Sequence, residues 1–233
     1  MVEKVYVGTG GWYDYRKREL APGLRLKAYS KKFNFVEVNS TFYKILHPST
    51  VERWRHQVPE EFEFSVKCYQ ALTHKIGIRP VEDAFKTINT MLSYCNVLNA
   101  KILVLETPAS LLLNEKFVDD AKQFFNSLSL NNVRIAWEFR RRPQDVPDNL
   151  VDLMKELNML YVVDMSWEDA RYESDIAYTR IFGSPRNEFR LNNEDYETIS
   201  TKITKSKSKL AYVTTHGLRM IQDAERISDM LSN

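Results

Sequence analysis

Cysteine is scarce in this chain of 233 residues: the two present, Cys68 and Cys95, cannot make a disulfide framework, and both sit among apolar neighbours, as inert core thiols do. Glycine is scarce too, at 7 residues, and GTGG at positions 8–11 lacks the GxGxxG spacing of a dinucleotide fingerprint. The 4 histidines, His47, His56, His74 and His216, are scattered, and the absence of HExxH and CxxC excludes zinc sites of those kinds. GxSxG is missing, and no Ser or Cys nucleophile motif stands out. Neither sign of charge is in excess: 33 basic against 31 acidic residues leave a net +2, so the whole-molecule field announces no polyanionic partner. No apolar run reaches the ~18 residues that cross a membrane, and MVEKVYVGTG opens directly on a strand-like segment with no signal or transit pattern. A cytoplasmic location without a membrane partner is expected.

What is present is alternation. Short runs rich in β-branched and aromatic residues recur at Val5 to Gly8, Phe33 to Asn39, Phe62 to Cys68, Lys101 to Glu106, Val133 to Phe139, Leu160 to Met165, Ile176 to Phe182 and Leu210 to Thr215. Between them lie segments of helical period. In one, Val81, Ala84, Phe85, Ile88, Met91, Leu92, Cys95 and Leu98 make one apolar stripe. Ser49 followed by Glu52 has capping-box spacing, Asn114 precedes Glu115, and Leu218 to Leu231 carries a last amphipathic pattern. Repeated βα units predict an α/β fold with a parallel sheet, and with no dinucleotide fingerprint eight of them favour a closed (β/α)8 TIM barrel, one domain over residues 1–233.

Successive strand side chains point to opposite faces, so parity sorts the charges. Glu37 shares a face with Asn39, Lys67 with Ser65, Glu106 with Val104, Glu138 with Ala136 and Arg140, Asp164 with Val162, Arg180 with Tyr178, and His216 with Thr214. Each falls in the C-terminal half of its run, where barrel enzymes place catalysis. Glu37, Lys67, Glu138 and Asp164 are the catalytic candidates. The plainer alternative is an internal salt-bridge cluster plugging a barrel. Lys67 also offers Schiff-base chemistry if burial removes its proton.

The loops after the strands are basic, at His74, at Arg140, Arg141 and Arg142 in a row, and at Arg186, Arg190 and Arg219, which suits phosphate. Trp12 and Tyr43 could stack on a base or sugar or merely cap the strands. Trp12, Asn39, Tyr43, His74, Arg140, Arg180 and His216 are the substrate- or phosphate-binding candidates. No cofactor is implied by a motif; Glu37, Glu106, Glu138 and Asp164 could hold Mg²⁺ or Mn²⁺ only if they converge.

GTGGW at 8–12, FNFVEVNSTFY at 33–43, PSTVERW at 48–54, FEFSVKCYQALTH at 62–74, WEFR at 137–140 and YTRIFG at 178–183 together resemble the YecE-like family, also called domain of unknown function 72. The resemblance runs through almost the whole chain. It implies a TIM-barrel fold and a polar pocket to which Glu37, Asn39, Lys67, Glu138 and Arg180 contribute, together with a distant likeness to DNA-processing barrels of the endonuclease IV type. The sequence departs from it at Thr214-Thr215-His216-Gly217, where many members carry a Phe-Asn-Asn-like triplet, and it lacks the His-rich ligand set of endonuclease IV-type barrels.

Three functions follow as alternatives. The first is a nucleic-acid-processing hydrolase or lyase, with arginines on phosphates and Glu37, Lys67 and Glu138 doing the chemistry. The second is an enzyme for a small phosphorylated or sugar-like metabolite, with phosphate near Arg180, Gly183 and Gly217. The third is a non-catalytic binding barrel.

Overall fold

Apolar alternation does build eight strands at the expected places. The computed structural model describes residues 2–16 and 18–231. The strands are β1 Lys4–Thr9, β2 Phe35–Val38, β3 Glu63–Lys67, β4 Ile102–Thr107, β5 Arg134–Phe139, β6 Leu160–Val162, β7 Ile176–Ile181 and β8 Leu210–Thr215. β6 stops short of Met165 because Asp164 starts a turn: its carbonyl accepts from the Trp167 and Glu168 N–H groups. Helices separate most of the strands, including Glu82–Leu98, which buries Ala84, Ile88, Met91, Leu92, Cys95 and Leu98 and ends on Asn99 in the left-handed region. Asn114 caps the helix Glu115–Asn126 through the Phe117 N–H, 2.9 Å away. At the helix Pro48–Arg55 the cap is His47, whose ring accepts from Ser49 N–H, and Ser49 lies inside the first turn.

Every strand pairing is parallel, but the ladder divides into two sheets, β1-β8-β7 and β2-β3-β4-β5-β6, where one closed sheet is expected from the sequence. Between β1 and β2 a side chain replaces the backbone rung. The buried Tyr29 hydroxyl donates to the Phe35 carbonyl (3.0 Å) and accepts from Thr9 N–H (2.9 Å). Between β6 and β7 there is a single bridge, Val163 with Thr179.

The two sheets nevertheless share one inner core. Tyr6, Phe35, Val104, Ala136, Val162, Tyr178 and Tyr212 pack together from seven strands, and Ser65 of β3 bonds the Tyr178 hydroxyl at 2.7 Å. Tyr6 stacks on Tyr212 with centroids 4.8 Å apart. Burying a side chain such as Phe35 or Val104 contributes ~1.5–3 kcal/mol. A second, outer core of Val36, Val66, Leu103, Trp137 and their neighbours fills the space between strands and helices. The inner core sets the floor of the site, because the next inward residue on most strands, two positions on, is charged.

Gly8 marks how closely β1 approaches β2. A Cβ there would stand 2.0 Å from the Phe35 carbonyl oxygen. Gly8→Ala is expected to destabilise the chain by ~3 kcal/mol, since backbone on both sides resists the shift, and urea unfolding measures it.

Candidate functional site

One residue above the inner core lies a layer of charge centred on Arg180, which is 1% exposed. Its Nε and Nη2 hold both oxygens of Glu37 (3.1 and 3.0 Å). Its Nη1 donates to Glu106 Oε2 at 2.8 Å and to Glu138 Oε2. Lys67 Nζ and Arg140 Nη2 reach the same Glu106 oxygen at 2.9 and 2.8 Å, and Arg140 Nη1 stands 3.4 Å from Glu138 Oε1. Tyr178 donates to Glu37 Oε2 at 2.9 Å. The strand register explains the convergence: Glu106 lies opposite Glu138 across β4–β5, and Lys67 opposite Val104 across β3–β4. Three carboxylates thus meet three cations, so the layer is close to neutral.

The two carboxyls paired in register are displaced in opposite directions. Burial alone would raise Glu106, but Arg180, Lys67 and Arg140 hold it well below the usual carboxylate range. Glu138 is raised, because its burial and the neighbouring Glu106 charge outweigh Arg180 and Arg140. Burial, with Arg180 beside it, lowers Lys67, whose ammonium lies 3.9 Å over the Phe42 ring. Burial and the nearby Arg180, Lys67 and Arg140 push His216 well below its usual value. The imidazole is therefore neutral, and the 3.7 Å from its Nε2 to Glu37 Oε1 is not an ion pair; Nε2 bonds the Thr214 hydroxyl at 2.6 Å. Gly10 leaves the room for this ring, since a Cβ there would lie 2.3 Å from its Nδ1.

Clefts open on both sides of the layer. On the β1–β2 side one of about 500 Å³ is lined by Trp12, Asn39, Tyr43 and Trp54 among others. Asn39 donates to the Gly10 carbonyl at 3.3 Å, while its Oδ1 is buried and without a partner among the described residues. On the β5–β7 side a cleft of about 300 Å³ is lined by Glu138, Arg140, Arg142, Trp167, Glu168 and Phe182, among others. Two other cavities, of about 290 and 490 Å³, run beside the start of β7 and the start of β1; of these four, the cleft on the β5–β7 side is the one lined by charged residues of the layer, Glu138 and Arg140, while the β1–β2 cleft meets the layer's edge at Asn39.

The chain matches the family model described as "Protein of unknown function DUF72" over residues 6–233. It belongs to the DUF72 family. The curated relative UPF0759 protein YunF of Bacillus subtilis (strain 168) is 36% identical over 104 residues, which are 40% of this chain and 37% of that protein, so the match spans well under half of the relative's length. A DUF72 family protein of Thermotoga maritima MSB8 superposes with a TM-score of 0.79 at 22% identity, covering 99% of this chain and 100% of that one. A xylose isomerase domain containing protein of Salmonella typhimurium LT2 superposes with a TM-score of 0.60 at 14% identity, covering 100% and 98%. These last two likenesses concern the fold.

In this DUF72 chain, Glu37, Lys67, Glu138, Arg140, Arg180 and His216 converge in one layer, with Asn39 at its edge. Trp12 packs edge-on against Trp54 (5.0 Å) and Tyr43 is 65% exposed, both on the larger cleft. His74 is exposed on a π-helical turn, 5.5 Å from Phe42, and is joined to the layer only through that ring. Asp164 stands apart. Its carboxylate takes four hydrogen bonds, from Ser166 N–H and hydroxyl and from the Phe182 and Gly183 N–H groups, and so clasps two loops together. Two residues of the arginine triple are engaged within the chain: Arg140 turns inward, and Arg141 donates to the Ala109 and Leu111 carbonyls. Arg180 and the Gly183 N–H are likewise engaged internally. The four carboxylates offered to a divalent cation face these donors instead, and among the described residues no group of three or more His, Cys, Asp or Glu has metal-holding geometry. The sequence did not point to Phe42, Phe182, Trp167 or Glu168; Phe182, on which the His216 ring stacks at 4.5 Å, has the inward parity of Arg180, whereas Glu168 lies in a turn with no periodic signal.

His216 carries a pH signature. The unfolded chain takes a proton on this side chain below its ordinary value of 6.5 and the folded chain does not, so stability is full above pH 6.5 and falls as the pH drops below it. Wild type is expected to lose ~1.4 kcal/mol per pH unit relative to His216→Gln on acidification from that point. Urea unfolding of both proteins at pH 7.5 and 5.5 checks it; parallel pH profiles would show a charged imidazole in the fold.

Proposed function

We propose that this DUF72 chain is an acid–base enzyme acting on a small, uncharged, sugar-like metabolite held over the charge layer between the two clefts. The observation that carries the reading is the opposite displacement of two neighbouring carboxyls, Glu106 held well below the usual carboxylate range and Glu138 raised by its burial, with Glu138 on a cleft wall. Glu138 is then the proton donor to a ligand oxygen, and Glu37 with Arg180 positions it from below. Lys67 and neutral His216 supply further polar groups to ligand hydroxyls. Trp12 and Tyr43 offer ring faces to the ligand's carbon skeleton, and Asn39 Oδ1 offers an acceptor to a hydroxyl or amide. Clefts of 300–500 Å³ suit such a molecule. The near-neutral layer and the internal engagement of Arg180, Arg140 and Arg141 favour an uncharged ligand over a phosphate. In this reading the two sheets work as one (β/α)8 barrel and one domain, with Tyr29 supplying the missing rung, and the site takes the strand-end position that barrel enzymes use. The shared fold with a xylose isomerase domain containing protein agrees in kind.

Nucleic-acid processing would rest instead on the exposed rim arginines Arg142, Arg186, Arg190 and Arg219. Thermal unfolding against free sugars, sugar phosphates and oligonucleotides separates the readings. A melting rise with free sugars supports the proposal. A rise only with oligonucleotides, lost steeply with salt, would replace it with the nucleic-acid reading.

A further inference from the structure

Two segments outside the charge layer line the smaller cleft. After β6 the chain places Trp167, 44% exposed, and half-buried Glu168 along its wall. After β7, Phe189 lines the same cleft, 62% exposed, with φ +57°, following Glu188 at φ +52°. Two successive non-glycine residues in the left-handed region are uncommon, and such backbone clusters at ligand clamps. Glu168 uses its backbone carbonyl to accept from Lys202 Nζ at 2.7 Å, but its carboxylate has no hydrogen bond or ion pair among the described residues. A half-buried carboxylate without a partner is costly unless something else completes it.

We infer that Glu168 is a second acid–base residue, facing Glu138 across the smaller cleft, and that Trp167 and Phe189 are the lips that hold a hydroxy-ketone or hydroxy-aldehyde between them. This rests on the proposed function and names its chemistry. Burial, Asp164 and Glu138 push the Glu168 carboxyl up, against Arg142 and Lys202, to about 7, so both of its forms are populated at neutral pH. As base, Glu168 takes the proton from the carbon beside the ligand carbonyl. The C–H electron pair becomes the C=C bond, the carbonyl π pair moves to oxygen, and that oxygen takes the Glu138 proton to give an enediol. Glu168 then returns its proton to the adjoining carbon while Glu138 recovers one from the other hydroxyl. The ligand is isomerised, both residues are restored, and no oxidant or co-reactant is consumed.

The test is proton NMR of dihydroxyacetone and D-fructose in D₂O with wild type, Glu168→Gln and Glu138→Gln. Wild type is expected to wash deuterium into the carbons flanking the carbonyl, at a rate that rises with pH around 7. Glu168→Gln, isosteric and without a native partner to lose, keeps its melting temperature within about 2 °C, loses at least ~100-fold in exchange, and loses the pH step. Exchange by Glu168→Gln at the wild-type rate, with Glu138→Gln inactive, overturns the role of Glu168 and leaves the site reading standing. No exchange by wild type on either probe overturns this inference, and the proposed function falls with it only if no sugar raises the melting temperature.

Discussion

Arg180→Met is expected to cost ~3–5 kcal/mol of folding stability, a fall of roughly 6–20 °C in melting temperature for a chain of this size. Methionine fills similar space, so the loss is electrostatic. Arg180 is 1% exposed and gives four hydrogen bonds to Glu37, Glu106 and Glu138. Without it three carboxyls share a buried layer with only Lys67 and Arg140, and uncompensated buried charge is far more costly than a satisfied ion cluster is stabilising. The defect carries a pH signature. In the variant, Glu106 and Glu138 take protons in the folded state at higher pH than in the unfolded one, so the gap to wild type narrows as the pH falls from 7 toward 5. Urea unfolding at both pH values measures it, and a variant within ~1 kcal/mol of wild type at pH 7 would show that Arg180 does not hold the layer together.

Glu138→Gln is expected to act in the opposite sense, with stability nearly unchanged and turnover reduced ~10²–10⁴-fold. Glutamine matches Glu138 in shape, and burial already disfavours the Glu138 charge, so the folded chain tolerates the exchange. What disappears is the transferable proton. Glu106→Gln is the contrasting substitution: its carboxylate is held ionised by Arg180, Lys67 and Arg140, and losing those charge-assisted bonds costs about 2 kcal/mol. Unfolding curves and exchange rates for the two variants together check the asymmetry; equal stability losses would mean that the two carboxyls share one state.

How much of this could be read in advance depends on what each residue's position is made of. Period-two alternation carries both face and layer, so Phe35 below Glu37, Val104 below Glu106 and Tyr178 below Arg180 are visible in the sequence and reappear in the structure as an inner core with charge above it. Pairing between strands is a tertiary matter. No local pattern says that the Tyr29 hydroxyl will stand in for a backbone rung, and that substitution divides the expected single ladder into two sheets. Side-chain partners are equally hidden. Asp164 has the parity of a catalytic carboxylate, yet four loop donors occupy it, and of three consecutive arginines one turns inward and one caps carbonyls. Glu168 shows the limit most clearly: its interest comes from a cleft formed by segments about 20 residues apart in irregular structure, where periodicity says nothing.

The most direct test uses the 4 tryptophans as position markers. Trp12 and Trp54 line the larger cleft, Trp167 lines the smaller, and Trp137 is fully buried against Phe139 in the outer core, 4.9 Å between centroids. Nitrogen-15 indole NMR during titration with D-fructose is expected to move the Trp12, Trp54 and Trp167 signals together, with Trp137 unchanged and all three shifts lost in Arg180→Met if that variant stays folded. Signals that stay fixed throughout, or a shift of Trp137 alone, would contradict a sugar-like ligand bridging the two clefts over the charge layer.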